Sequence, residues 1–149
     1  SETKKSETKK SESSNSSNSS NSKKEIKGYK ITLDIIDAYE KKTKINSNES
    51  YPYINMDIDK LKVWCENNLV KELRYSGAII CNVSYNIKND NTLSMICYVN
   101  DSDINEAYTT LDSIRNIDDI LDCDENGNTE VTFKLKNTQI KPYYKEINC

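Results

Sequence analysis

Oxygen-bearing side chains alternate along a short acidic stretch late in the chain, at Asp122, Asp124 and Asn126. Gly127 follows, where a chain that wraps its oxygens around an ion needs a sharp turn. Carboxylate and amide oxygens are the hard ligands that Ca²⁺ prefers in proteins. The spacing therefore makes Asp122, Asp124 and Asn126 candidate metal ligands, with calcium as the candidate ion.

The stretch resembles the first half of an EF-hand or dockerin calcium loop, in which the pattern is D-x-D-x-N-G. The loop ends in a bidentate Glu at position 12, and this chain has Phe133 there. Phe133 also belongs to an alternating apolar pattern typical of a strand. The competing interpretation is a polar turn, with Asn126 and Gly127 leading into the last strand. We expect this turn, with calcium binding absent or in the millimolar range.

Nucleophilic chemistry finds little support in the residue types. The chain has no His, which removes the commonest general base and the partner of every Ser-His or Cys-His dyad. Its cysteines lack the C-x-x-C spacing of zinc and thioredoxin-like sites; they are Cys65, Cys81, Cys97, Cys123 and Cys149. No catalytic motif stands out, so the sequence predicts a protein without enzymatic activity.

The predicted positions of the cysteines leave their pairing open. Cys81 and Cys97 both fall on the apolar face of a predicted hairpin, where a cross-strand disulfide is one interpretation. Two buried free thiols acting as small hydrophobic side chains are the favoured interpretation. Cys123 and Cys149 are expected to be exposed, and the acidic neighbours of Cys123 oppose thiolate formation.

Tyrosines in irregular segments are the candidate partner-binding residues. Tyr51 and Tyr53 flank Pro52, and Tyr143 and Tyr144 follow Pro142. The other tyrosines occur at strand or helix spacing, which favours core packing. A patch made by the first four predicts a protein contact, because aromatic residues are enriched at interfaces.

Hydrophobic periodicity predicts the elements that must position these residues. Alternation predicts strands over 29–35, 79–87, 92–99 and 131–135, and helical spacing predicts helices over 58–73 and 103–114. Strand, helix, strand, strand, helix, strand is the order of a ferredoxin-like α+β fold, an antiparallel sheet with two helices on one face. Residues 41–55 are expected to form a loop. Residues 138–148 can add a C-terminal edge strand, where Pro142 is tolerated.

Composition divides the chain into two parts. Residues 1–25 contain no aliphatic or aromatic side chain, so they cannot bury enough surface to fold and predict a disordered tether. Residues 26–149 are long enough for a single domain. The tether carries six Lys and four Glu, and the domain fifteen Lys or Arg and twenty Asp or Glu. An acidic domain is a poor partner for phosphate backbones, so nucleic-acid binding is not expected.

The Ser/Asn/Lys-rich tether resembles the segment after the lipid-bearing Cys in lipoproteins of low-GC Gram-positive bacteria. The resemblance implies an extracytoplasmic protein held by a lipid anchor preceding Ser1, without a membrane-spanning helix. The leading hypothesis is a non-enzymatic cell-envelope binding or protein-interaction module, with a protein or an envelope component as partner. One alternative is a cytoplasmic regulatory interaction domain with a disordered arm. The other is a small enzyme that uses carboxylates of residues 118–125, alone or with a metal.

Overall fold

Every strand in the described part of the chain belongs to one antiparallel sheet. The computed structural model describes residues 25–44, 51–115, 120–124 and 127–149. The strands are β1 (Gly28–Lys44), β2 (Ile54–Asn55), β3 (Ile80–Asn89), β4 (Thr92–Val99), β5 (Ile120–Asp124) and β6 (Gly127–Tyr143). The helices are α1 (Ile58–Trp64), α2 (Val70–Tyr75) and α3 (Ile104–Arg115), and a π-helical segment (Cys65–Leu69) joins α1 to α2. The predicted tether lies outside the described residues except for Glu25.

The strands lie side by side in the order β3-β4-β1-β6-β5, and all neighbours are antiparallel. The short strand β2 pairs with β1 at Tyr39 and Glu40, beyond the point where β4 begins. The predicted α+β class, with helices packed on an antiparallel sheet, is confirmed.

The hydrophobic core lies between the sheet and the helices. Alternate residues of β1, namely Ile31, Leu33 and Ile35, are at most 2% exposed. Leu69 and Leu73 meet them from the helical layer with no exposed surface. The apolar residues that alternate in β1 and those with helical spacing in the helices therefore belong to the same core.

Local signals set the ends of the first helical layer. The side chain of Asp57 caps α1 by accepting from the backbone N–H of Lys60. At the other end Gly77 has φ of +95°. Its N–H donates to Arg74, and the next N–H, from Ala78, donates to Leu73. These two bonds satisfy carbonyls that the end of α2 leaves free, in a Schellman arrangement.

Two strands are longer than the sequence predicts. Both β1 and β6 have 17 residues. The prediction of a loop over 41–55 is wrong for residues 41–44, which pair with the start of β6, and for residues 54–55. The expected separate C-terminal strand is the second half of β6, which continues through a bulge at Asn137 with φ of 54°. Pro142 lies in this half, where β1 is the only strand of the described residues that pairs with β6.

A bulge in β3 separates two cysteines that the alternation places together. Asn82 has φ of 51°, and the register shifts between Cys81 and Ser84. Cys97 therefore faces the core, whereas Cys81 lies opposite Tyr98 on the other face of the sheet. The interpretation of a Cys81–Cys97 disulfide is wrong. The prediction of a buried free thiol is confirmed for Cys97. It is wrong for Cys81, which forms a disulfide.

The C-terminal segment, residues 144–149, folds back across one end of the sheet. A disulfide joins Cys149 to Cys81 at the start of β3. Ile147 is buried, and its Cδ1 atom lies where a Cβ at position 28 would be. Val99 O also approaches that position, so glycine is required at position 28 by close packing.

Candidate functional site

The sheet has one face covered by helices and one that we call the open face, formed by the strand residues that alternate with the core. Its charged side chains are mostly lysines. They are Lys30 and Lys41 on β1, Lys88 on β3, and Lys134, Lys136 and Lys141 on β6. The described acidic residues of this face are Asp34 and Glu130. The open face is therefore positive, whereas the whole chain has a net charge of −3.

Lysines on neighbouring strands lie directly opposite one another. The register pairs Lys30 of β1 with Lys141 of β6. Like charges in directly opposed positions destabilise a sheet. Within the described part of the chain, neither lysine forms an ion pair, nor do Lys134 and Lys136. These ammonium groups are thus available to an anionic partner.

The acidic residue at the centre of the open face, Asp34, is already neutralised. It is 6% exposed, accepts a hydrogen bond from Asn137 at 2.8 Å and pairs with the Nζ of Lys88 at 3.0 Å. Burial disfavours the charged carboxylate, but the hydrogen bonds from Asn137 and Lys88, with the charges of Lys88 and Lys136, outweigh this effect. They hold the pKa of Asp34 below its usual range.

Replacing Asp34 with asparagine should lower the free energy of unfolding by about 1 kcal/mol at neutral pH, because a charge-assisted pair with a half-exposed lysine is lost. Because the pKa of Asp34 is lower in the folded state than in the unfolded state, its ionised carboxylate stabilises the fold at pH values above the unfolded-state pKa of about 3.9. This stabilisation disappears as the pH falls through the folded-state pKa. Urea unfolding of both proteins across pH checks this. The exposed Asp90→Asn is the control, and a pH-independent difference for Asp34→Asn would contradict the assignment.

The structure does not bring the four predicted tyrosines into one patch. Tyr53 lies near one end of the open face, where its hydroxyl donates to Glu130 at 2.8 Å and Lys41 lies 5.3 Å from its ring centre. Tyr143 lies at the opposite end, paired with Gly28. Tyr51 precedes β2, and Tyr144 begins the C-terminal segment and is exposed. Their role in partner binding stays a prediction.

At the Tyr143 end, aromatic rings are packed against each other. The rings of Tyr98 and Tyr143 lie 4.8 Å apart in a tilted arrangement, on strands that flank β1. Tyr98 and Cys81 are opposite each other, so the disulfide to Cys149 fastens the C-terminal segment beside this pair. The aromatic faces here are used within the protein.

The predicted calcium ligands lie at a hairpin. The backbone places Asp122 and Asp124 in β5, opposite Thr129 and Gly127 of β6, and Asn126 lies outside the described residues. The polar-turn interpretation expects antiparallel strands on either side of these residues, and β5 and β6 pair in this way as far as Asp124 and Gly127. Among the described residues, no group of three or more His, Cys, Asp or Glu is arranged to hold a metal. Calcium binding here stays a prediction, in the weak form stated above.

A cleft of about 400 Å³ opens near the bulge of β1, where Asp37 has φ of 50°. Its lining combines the apolar side chains of Ala38, Met56, Ile58 and Leu61 with the polar ones of Asp37, Asp57, Asp90, Asn55 and Asn91. The volume falls in the range of small-molecule sites. The Asp57 carboxylate already caps α1, so Asp37, Asp90, Asn55 and Asn91 are the other polar residues that a small molecule would meet there.

The two free thiols in the described part of the chain are unsuited to nucleophilic chemistry. Cys65 and Cys97 are buried in the core with no exposed surface. Desolvation raises the pKa of Cys97 to about 12, and it raises the pKa of Cys65 even more, with a further contribution from Glu66. Both groups are therefore neutral thiols at physiological pH and are not accessible to a substrate.

The sequence contains a charge pattern that predicts the open face, but the spacing of the apolar residues alone does not reveal it. Lys134 and Lys136 alternate with Phe133 and Leu135, and Lys30 lies between two core residues of β1. The sign of the charged residues at the polar positions of each alternating strand identifies these lysines. The pairing of β1 with β6, which gathers them, depends on long-range register and was not visible.

Comparison of the chain with protein-family models, with curated proteins and with solved structures finds no match. None of the described helices is long and apolar enough to cross a membrane.

Proposed function

We propose that this protein is a non-enzymatic binding module of the cell envelope, extracytoplasmic and held at the membrane by a lipid anchor preceding Ser1. Its contact surface is the open face of the sheet. The observation that carries the proposal is the concentration of lysines, four of which form no ion pair with any described residue, on that face of an otherwise acidic protein. Such segregated charge favours a complementary, negatively charged partner and steers its approach.

The disulfide supports an extracytoplasmic location. Cys81 and Cys149 are separated by 68 residues and are joined only in the folded chain. Disulfides persist in oxidising compartments and are rare in the cytosol, where thiols are kept reduced. The Ser/Asn/Lys-rich segment before Ile26, which resembles a lipoprotein tether, agrees with the same location.

The proposed fold is a ferredoxin-like sheet with two added strands, β2 and β5. Without β2 and β5 the spatial order of the strands is β3-β4-β1-β6. Along the chain, α1 and α2 lie between β1 and β3, and α3 lies between β4 and β6, so each helical segment joins strands that are not adjacent in the sheet. This order supports the split β-α-β arrangement inferred from the sequence. The fold carries no function by itself, so the argument for binding rests on the surface chemistry.

The redox state of the disulfide in the source cells tests the proposed location. Cells are quenched in acid, and free thiols are alkylated under denaturing conditions before peptide mapping. We expect the peptides of Cys81 and Cys149 to be recovered linked, while those of Cys65 and Cys97 are alkylated as internal controls. Recovery of Cys81 and Cys149 as alkylated thiols from folded protein would instead support a cytoplasmic regulatory domain.

A further inference from the structure

We propose that the open face docks on an anionic lipid membrane surface, so that the module lies flat on the membrane to which its tether is anchored. This inference rests on the proposed function, because it identifies the negatively charged partner. The strand residues of the face include six lysines and two acidic residues, and one of these, Asp34, is buried in its pair with Lys88. The C-terminal segment crosses the Tyr143 end of this face, and its Glu146 is paired with Lys27.

Screening makes the open face act separately from the acidic remainder of the protein. The Debye length is about 8 Å at physiological ionic strength. Helices packed on a sheet place their outer charges more than about 10 Å from its opposite face. A membrane in contact with Lys134 and Lys136 is therefore influenced little by Asp112 or Glu106 on α3, and the net negative charge does not prevent docking.

The shape of the face fits a planar partner. Lys134 and Lys136 are two residues apart on one strand, about 6.6 Å, and Lys30 and Lys141 lie side by side farther along the same pair of strands. The positive charge is thus spread over an area several strands wide. A lipid surface can contact all of these ammonium groups at once, whereas a narrow ligand contacts only a few.

The chemistry of the face favours lipid headgroups over a nucleic-acid strand. The two arginines of the chain, Arg74 and Arg115, lie in helices, so the open face carries lysines, which act as point charges without bidentate geometry. The rings of Tyr98 and Tyr143 pack on each other and do not offer a free platform for bases. Exposed tyrosines such as Tyr39 and Tyr53 suit the membrane–water interface.

The tether places the membrane within reach. For a tether of 25 residues with the flexibility that its composition predicts, the expected root-mean-square span is on the order of 25–30 Å, a reach that would let the domain turn its open face toward the bilayer. A lipid chain alone gives weak attachment, and stable attachment takes a second signal such as a basic patch. The open face would supply that signal.

Vesicle sedimentation with the full chain tests the inference. Vesicles of phosphatidylcholine with about one-third phosphatidylglycerol are compared with vesicles of phosphatidylcholine alone at physiological salt. We expect binding only to the anionic vesicles. Each lysine at an anionic surface strengthens binding about fivefold, so Lys134→Gln with Lys136→Gln should weaken it roughly 25-fold.

The matched control removes two lysines from the helical layer, in Lys62→Gln with Lys71→Gln. Both double variants change the net charge equally and keep the tether, so general charge effects cancel. The control should bind within about twofold of the wild type. Equal weakening in both variants, no weakening in either, or equal binding to neutral vesicles would overturn the inference. Binding to oligothymidylate or polyphosphate without binding to vesicles would assign the face to another polyanion.

The two proposals fail in distinguishable ways. A linked Cys81–Cys149 pair in cells, together with absent vesicle binding, leaves the envelope module intact and overturns the membrane-docked orientation. Reduced cysteines in cells overturn the envelope location whatever the vesicles show.

Discussion

Replacing Cys149 with serine is expected to lower the free energy of unfolding by roughly 2–4 kcal/mol under oxidising conditions. The disulfide closes a loop between residues 68 apart in sequence, and loop-closure entropy for that length gives a value near the upper end. Cys149 is the better position to change because it is exposed, whereas Cys81 is 2% exposed and a serine there would also bury a hydroxyl group. Denaturant unfolding of the two proteins measures the difference.

Reduction provides the internal control for this effect. A reducing agent should destabilise the wild type to the level of Cys149→Ser and leave the variant unchanged, because Cys65 and Cys97 are already free. Loss of the link should also loosen the C-terminal segment and the end of β6 that it follows, so the amide of Lys27, which donates to Tyr143 at that end, should exchange faster. Equal stability of the oxidised wild type and the variant would show that the disulfide does not support the fold.

The elements defined by local chemistry were predictable from sequence. The cap at Asp57 and the turn at Gly77 follow from residue type, and each is satisfied by hydrogen bonds within four or five residues. Alternation likewise identified the central strands, because one face of each is buried. The lengths of β1 and β6 were missed because their polar ends are strands only through pairing with each other, and no local signal reports that pairing.

The surface chemistry was harder to predict because it depends on register. A positive φ at Asn82 turns Cys81 to the open face, where it meets a cysteine at the far end of the chain. The bulge at Asn137 similarly lets its side chain reach Asp34. Asparagine tolerates this backbone conformation, but the sequence alone does not say which asparagine adopts it. One misplaced bulge reverses every following side chain, and with it any predicted site.

Leu73→Ala should lower the free energy of unfolding by about 2–5 kcal/mol. Leu73 has no exposed surface and lies in α2 against the sheet, so truncation leaves a cavity in addition to the lost transfer free energy. Leu111 of α3, which is 4% exposed, should respond similarly. Thermal or urea unfolding gives the magnitudes, and both variants retain all the charges of the open face.

Tyr75→Ala is the matched control in the same helix. It removes a larger side chain than Leu73→Ala does, but Tyr75 is 90% exposed, so the change should stay within about 0.5 kcal/mol. The comparison separates the effect of burial on the free energy of unfolding from the effect of side-chain size. Both variants introduce alanine, the residue with the highest helix propensity, so neither should lose stability through helix propensity. Comparable destabilisation by the two changes would mean that α2 does not present Leu73 to the sheet.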